Sequence, residues 1–164
     1  MTTMTIATPE DMAVLGARIA AELRAGDLVA LNGELGAGKT TLTRGLGAAL
    51  GVRGTVTSPT FVLARTHQRD SGEPPLVHVD AYRLSSPAEL DDLDIDYAAS
   101  IVVVEWAAGM LDGLTEDWLE LSIARPTGGD APAEFDEADD DVPEPREVTI
   151  TAHGARWAGV SFAS

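Results

Sequence analysis

A glycine-rich stretch at residues 33–40 constrains the fold of this chain more than any other feature. It reads G-E-L-G-A-G-K-T, which is the G-x-x-x-x-G-K-T spacing of a phosphate-binding loop between a strand and a helix. Backbone N–H groups of such a loop turn inward around an anion, and the following helix directs its positive dipole end at the same anion. Lys39 adds a positive charge for phosphate oxygens, and the Thr40 hydroxyl is suited to bind Mg²⁺.

The segments on both sides of this loop have the patterns expected of a strand and a helix. Residues 27–32 form a short, mainly apolar run of strand length, and Leu42, Leu46 and Leu50 recur at every fourth position downstream. Lys39 is also the only lysine in the chain, which otherwise uses arginine as its fixed positive charge. A compact ammonium suits a phosphate site. A glycine-rich turn without a ligand is the structural alternative, and it accounts for none of this context.

Two further apolar runs each end in an acidic residue. Residues 76–79 precede Asp80, and residues 101–104 precede Glu105. Runs that are apolar on both faces suit buried parallel strands, and ligands of open α/β sheets lie beyond the carboxyl ends of such strands. Either acid is a candidate to hold the Mg²⁺ hydration shell or to orient an attacking water, while a helix cap or an exposed loop acid is the structural alternative.

The remaining patterns predict an α/β fold. Thr8 and Pro9 begin a helix that we expect to end at Gly26. Residues 68–75 are expected to form a hairpin-type connection, and alternating residues predict strands at 61–66, 118–124, 147–152 and 157–160, the last two forming a hairpin. The expected architecture is a three-layer, P-loop NTPase-like sandwich with a mixed, mainly parallel sheet and an antiparallel edge.

Length and charge indicate a single acidic domain over residues 1–164. The net charge is −16, and residues 126–145 carry eight acids and no base, which predicts a disordered acidic loop. Without those eight, 19 acidic residues still face 11 basic ones. Such a surface repels phosphodiester backbones, so we expect any nucleic acid to be bound by a partner protein.

Other classes of protein are disfavoured by what the sequence lacks. It has no cysteine, no basic and apolar leader and no apolar run of membrane-spanning length, so we expect a soluble cytoplasmic protein. His67, His78 and His153 do not have the spacing of metal ligands. A guanine-reading N-K-x-D motif would need a second lysine, which makes ATP the expected nucleotide.

Four linked motifs resemble the TsaE (YjeE) family, the small ATPases of bacterial tRNA threonylcarbamoyladenosine biosynthesis. They are G-E-L-G-A-G-K-T-T at residues 33–41, S-P-T-F at 58–61, H-V-D-A-Y-R-L at 78–84 and V-E-W at 104–106. The resemblance implies Mg²⁺ binding by Thr40 and Glu105, with Lys39, Asp80 and Glu105 as the catalytic residues. It implies ATP binding by the loop residues Gly36, Ala37, Gly38, Lys39, Thr40 and Thr41.

The resemblance also assigns three positions outside the loop. Thr60 would belong to a nucleotide-sensing segment, and Arg146 matches an arginine near the last strands of the family. Met12 stands where the family usually has threonine, so we include it near the nucleotide without a hydroxyl contact.

The family resemblance implies a ternary complex with TsaB and TsaD, in which TsaD modifies the tRNA and ATP hydrolysis resets the complex. The protein would then meet tRNA only through its partners and would be slow as an ATPase on its own. Two alternatives stay open at this point, a small-molecule kinase and an ATP-sensing adaptor that does not hydrolyse the nucleotide. The residues that contact adenine, the oligomeric state and the acid that orients the water also stay open.

Overall fold

A seven-stranded mixed sheet organises the chain, in the strand order β1-β7-β6-β2-β5-β4-β3. The computed structural model describes residues 2–33, 38–52, 64–69, 73–81, 95–105, 116–124, 145–160 and 162. The strands are β1 Thr2–Ile6, β2 Leu28–Gly33, β3 Ala64–His67, β4 Leu76–Asp80, β5 Ile101–Glu105, β6 Trp118–Ala124 and β7 Arg146–His153. The helices are α1 Pro9–Ala20 and α2 Lys39–Leu50, with short 3₁₀ turns at Tyr97–Ala99 and Ala155–Trp157.

The centre of the sheet is parallel and its edges are antiparallel. Strand β2 lies between β5 and β6 and runs parallel to both, and β4 runs parallel to β5. Strand β3 pairs antiparallel with β4, while β7 pairs antiparallel with β6 and with β1. The predicted mixed, mainly parallel sheet is therefore confirmed, as is the hairpin arrangement of the strands that flank residues 68–75.

Both helices begin and end where local sequence signals are strong, with one exception. The Thr8 hydroxyl accepts a hydrogen bond from the Asp11 N–H at 3.0 Å, and Pro9 occupies the first turn of α1. Helix α2 ends at Gly51, whose φ of +78° is left-handed. The predicted end of α1 at Gly26 is wrong, because the helix stops at Ala20 and a series of turns leads to Gly26.

One face of the sheet packs against both helices and forms the larger hydrophobic core. Helix α1 contributes Met12, Leu15 and Ile19 to this core, and α2 contributes the leucines predicted from their fourfold spacing. The opposite face carries a smaller core that includes Leu28, Ala30, Val77, Val79, Val102 and Val104. Buried side chains on both faces explain why the sequences of β2, β4 and β5 are almost continuously apolar.

One strand at the edge of the sheet was not predicted, and one prediction about the outer strands is wrong. Strand β1 was not expected, and it pairs with β7 over all five of its residues. Residues 157–160 do not form a strand, because Ala155–Trp157 is a 3₁₀ turn that buries Trp157 beside Phe162 in the larger core. Strand β7 therefore pairs with β1 at its outer edge, where a strand at residues 157–160 was predicted. The predicted acidic loop at residues 126–145 lies outside the described residues, apart from Pro145.

Candidate functional site

The end of strand β2 is in contact with the start of helix α2. The Lys39 side chain is buried, and its Nζ donates a hydrogen bond to the Gly33 carbonyl oxygen at 2.6 Å. This contact joins the first and last parts of the glycine-rich stretch across residues 34–37, which are not described. The ammonium group predicted to neutralise phosphate charge is therefore held at the carboxyl end of β2.

Gly38 has a backbone conformation that favours glycine and little room for a side chain. Its φ is +115°, and an added Cβ would lie 3.2 Å from Cε of the buried Met12. Met12 is thus a packing partner of the last glycine in the loop sequence, on the side of helix α1. The placement of Met12 near the nucleotide stays a prediction, and this contact with Gly38 was not part of it.

The first turn of α2 carries the predicted hydroxyl groups. Thr40 and Thr41 are both half-buried, and the helix is further tied by a 2.8 Å hydrogen bond from the Thr43 hydroxyl to the Lys39 carbonyl. Thr40 follows directly on Lys39 and therefore lies at the same end of the helix. Gly36, Ala37 and Thr60 belong to the predicted site but lie outside the described residues.

Asp80 and Glu105 are neighbours across the sheet, at the carboxyl ends of β4 and β5. They are partners in the β4–β5 register, and Glu105 is in turn the partner of Leu31 on β2. Leu31 lies two residues before Gly33, a separation of about 7 Å along a strand. The structure thus brings both predicted acids to the sheet edge that holds the loop, with Glu105 buried and Asp80 half-buried.

A histidine that was not predicted as a functional residue contacts Glu105. Nε2 of His78 lies 2.6 Å from Oε2 of Glu105, and both side chains are buried. His78 occurs in the H-V-D motif two residues before Asp80, so the period of a strand places the two side chains on one face. The alternation of side chains along the strand could have indicated that His78 faces the site. Its partner Glu105 could not be predicted, because the register between two strands cannot be obtained from one sequence.

A second buried histidine lies on the edge strand of the same region. Burial lowers the pKa of His67 below its usual value of 6.5, and the nearby His78 and Arg65 act in the same direction. In the ranges listed above, no group of three or more His, Cys, Asp or Glu side chains is arranged to hold a metal ion.

Arg146, the last predicted binding residue, lies at the same end of the sheet but further from the loop. It is the first residue of β7, and β6 separates that strand from β2. Two strand spacings amount to about 10 Å, so the arginine does not adjoin the loop through the sheet. Its guanidinium Nη1 donates to the Pro145 carbonyl at 3.5 Å.

The arrangement of these groups defines a class of protein. A central parallel strand is followed, after a glycine-rich sequence, by a helix with a buried lysine, and two neighbouring strands end in acids. These are the features of a P-loop NTPase-like α/β protein. Residues 6–130 match the family model described as "Threonylcarbamoyl adenosine biosynthesis protein TsaE", and the chain belongs to this family.

Comparison with individual proteins agrees with this assignment. The chain is 58% identical to the tRNA threonylcarbamoyladenosine biosynthesis protein TsaE of Streptomyces coelicolor, over 90% of this chain and 94% of that protein. It is 45% identical to the protein of the same name from Mycobacterium tuberculosis, over 78% and 82% of the two chains. The crystal structure of Bacillus subtilis YdiB superimposes with a TM-score of 0.67 at 31% identity, covering 95% of this chain and 88% of YdiB.

Proposed function

We propose that this protein is a Mg²⁺-dependent ATPase that acts with TsaB and TsaD in the threonylcarbamoyladenosine modification of tRNA. Membership of the TsaE family and the names of the relatives support the pathway. The observation that carries the hydrolytic part is the pairing of Asp80 with Glu105, beside the strand that leads into the loop. Two acids at that edge are the groups that phosphoryl transfer to water needs for a cation and for a nucleophile.

Binding of the nucleotide is assigned to the loop and the start of α2. Backbone N–H groups from Gly36 to Thr41 would bind the phosphates, and the N-terminus of α2 would add its dipole. The buried Lys39 supplies a positive charge at the loop. The proposal keeps Thr60 as a sensor of the γ-phosphate, and Met12 and Arg146 as positions near the nucleotide.

The donors at this edge fit Mg²⁺. The Thr40 hydroxyl and the Glu105 carboxylate are hard oxygen ligands, and Mg²⁺ commonly takes only one or two such ligands from the protein. Mg²⁺ held by these two residues would supply positive charge against the negative charge that develops on the phosphate oxygens. Asp80 then serves as the acid that accepts a hydrogen bond from the attacking water, although the two acids are close enough in register for these roles to be exchanged.

The charge of the chain supports the expected division of work with partners. With a net charge of −16, the protein is poorly suited to hold tRNA itself, so the proposal assigns tRNA contact to the partner proteins. A cytoplasmic location belongs to the same proposal and agrees with the absence of cysteine. Among the described residues, no helix is long and apolar enough to cross a bilayer.

ATP hydrolysis by the chain alone, and then with purified TsaB and TsaD from the same source, tests this proposal. We expect slow turnover alone and strong stimulation by the partners. Lys39→Ala should lower the stimulated rate by about 100-fold or more, because a buried charge at the phosphates is lost. Arg44→Ala is the matched control, since Arg44 is an exposed cation on the same helix, and it should retain the activity.

The acids are tested in the same assay. Glu105→Ala should abolish turnover. Glu120→Ala is the control and should not abolish it, because it removes a half-buried carboxylate of β6 that lies on the opposite face of the sheet from Glu105. An active Lys39→Ala variant would overturn the ATPase assignment. Confirmed ATP binding without turnover under any condition would favour an adaptor, and stoichiometric phosphorylation of a metabolite would favour a kinase.

A further inference from the structure

The hydrogen bond between His78 and Glu105 has a role that the proposed ATPase function does not by itself assign. We propose that His78 is a positioning residue, which fixes the Glu105 carboxylate in the orientation that receives the Mg²⁺ ion or its water. This inference rests on the proposed function. Its basis is the 2.6 Å contact between Nε2 and Oε2, formed by two side chains that are almost completely buried.

The hydrogen bond fixes the tautomer of His78. A carboxylate only accepts hydrogen bonds, so the proton lies on Nε2 of His78 and is donated to Glu105. Nδ1 of the same ring is buried and has no hydrogen-bond partner among the described residues. Within the described part of the chain, only the Nε2 side of the ring is therefore engaged, and its partner is Glu105.

His78 holds one oxygen of Glu105 and leaves the other available. The imidazole restricts the carboxylate through Oε2 and leaves Oε1 as the oxygen for the ion or its water. A planar ring fixes the direction of this hydrogen bond more narrowly than the ammonium of a lysine, which is carried on a flexible stem. Hydrogen bonds to the ligands of a metal commonly have this orienting effect.

The position of His78 in the sheet makes the orientation rigid. His78 lies in the interior of β4, paired with Val103 on β5, and no part of its side chain is accessible to solvent. The side chains of His78 and Asp80 lie on the same face of β4. A buried strand therefore carries both the donor for Glu105 and the second acid of the site, so that the two carboxylates are held in a fixed relation.

Binding of Mn²⁺, followed by electron paramagnetic resonance with a non-hydrolysable ATP analogue, tests this role without depending on turnover. We expect His78→Leu to weaken Mn²⁺ binding about tenfold or more, with little change in analogue binding in EDTA. His78→Gln should recover most of the affinity, since its amide N–H reaches about as far as Nε2. His67→Leu is the matched control, because His67 is a second buried histidine without a bond to Glu105, and it should bind Mn²⁺ like the wild type.

A double-mutant cycle separates positioning from a general structural effect. In a Glu105→Ala background, His78→Leu should cause no further loss of Mn²⁺ affinity, because the group it positions is already absent. If His78→Leu does not fold, as judged by circular dichroism, the comparison of His78→Gln with His78→Asn decides. The shorter Asn amide should bind Mn²⁺ about tenfold more weakly than the Gln amide.

Two results would overturn the inference in distinguishable ways. The positioning role is wrong if His78 variants bind Mn²⁺ as tightly as His67→Leu does. It is also wrong if the loss of Mn²⁺ affinity in the double variant equals the sum of the losses in His78→Leu and Glu105→Ala. In both cases the ATPase proposal stands. If the wild-type protein takes up no Mn²⁺ together with the analogue, the proposed metal-dependent function fails, and the role of His78 fails with it.

Discussion

At the residue scale, Gly38 combines a left-handed φ of +115° with a close neighbour, Cε of Met12. The end of a methionine side chain moves easily, so the backbone decides the cost of a substitution. We expect Gly38→Ala to lower the free energy of unfolding by roughly 1–3 kcal/mol, and Met12→Ala not to relieve the loss. Urea denaturation of both single variants and the double variant measures this.

Gly51→Ala is the control for this prediction. Gly51 also has a positive φ, +78°, but nothing lies within 4 Å of an added Cβ. Its cost should be about 1 kcal/mol, the usual penalty for a left-handed alanine. A Gly38→Ala protein that is as stable as the wild type would contradict the argument, and full rescue by Met12→Ala would show that the steric contact dominates.

Protonation of a single residue, His67, should make the stability of the protein depend on pH. Burial, aided by His78 and Arg65, lowers the pKa of folded His67 below 6.5, so the unfolded chain takes up a proton first as the pH falls. The neutral form thus contributes stability that is present above pH 6.5 and is lost as the pH falls toward the folded pKa. The free energy of unfolding of His67→Gln should fall less than that of the wild type over this window, as measured by urea titrations. Equal slopes would contradict the prediction.

The residues of the site were predictable to different degrees from sequence. Short motifs are enough to identify three of them. Lys39 is recognised from the loop motif, and Asp80 and Glu105 from their positions at the ends of apolar strands. The bond from His78 to Glu105 joins positions 27 residues apart, and its existence depends on the register of β4 against β5. Sequence periodicity gives the face of a strand but not the register between two strands.

At the scale of elements, α1 and α2 approach each other through two glycines. A Cβ at Gly16 would lie 2.3 Å from the Leu42 carbonyl oxygen, and one at Gly45 would lie 2.4 Å from the Ala13 carbonyl oxygen. Backbone atoms cannot move aside as a flexible side chain can. The contact between the helices therefore depends on the absence of side chains at both positions.

This contact reverses the usual effect of replacing a helical glycine. Alanine normally stabilises a helix interior by about 1 kcal/mol relative to glycine. We expect Gly45→Ala to destabilise the protein by about 1–3 kcal/mol, because the helices must separate. Thermal and urea unfolding measure the effect. Ala48→Gly, on the exposed face of α2, gives the difference in stability between alanine and glycine in this helix without a packing contribution. A stabilised Gly45→Ala protein would mean that the helices are not in close contact here.

Elements with their own sequence signals were predicted, and those that depend on a distant partner were not. Helix α1 has a cap and a proline at its start, and α2 has a leucine repeat and a final glycine. Strand β1 has threonines at three of five positions and is a strand because β7 pairs with it. The short run at residues 157–160 was misinterpreted because burial of Trp157 in a turn gives the same apolar pattern as a strand.

At the scale of the whole molecule, a bidentate ion pair ties the C-terminal part of the chain to the start of the central strand. Nε and Nη2 of Arg156 donate to the two carboxylate oxygens of Asp27 at 3.0 and 2.9 Å, and Nη2 also donates to the Glu22 carbonyl. Asp27 is buried and directly precedes β2. The pair lies at the opposite end of β2 from Gly33 and Lys39, so it should support the fold without belonging to the site.

Arg156→Ala should therefore lower the free energy of unfolding by about 3 kcal/mol, because the buried carboxylate of Asp27 loses its ion-pair partner and, among the described residues, keeps only the hydrogen bond from the Arg24 N–H. Arg156→Lys should recover only part of this, since an ammonium cannot form two parallel hydrogen bonds to one carboxylate. Arg18→Ala, at an exposed arginine of α1, is the control and should change stability by less than about 0.5 kcal/mol. Urea denaturation gives these values, and nucleotide titration of the folded variants should give unchanged affinity, because the ion pair and the loop are at opposite ends of β2. An Arg156→Ala protein as stable as Arg18→Ala would mean that water replaces the guanidinium at little cost. The C-terminal segment would then be tied to the sheet by the packing of Trp157 and by the hydrogen bond from the backbone N–H of residue 156 to Asp117.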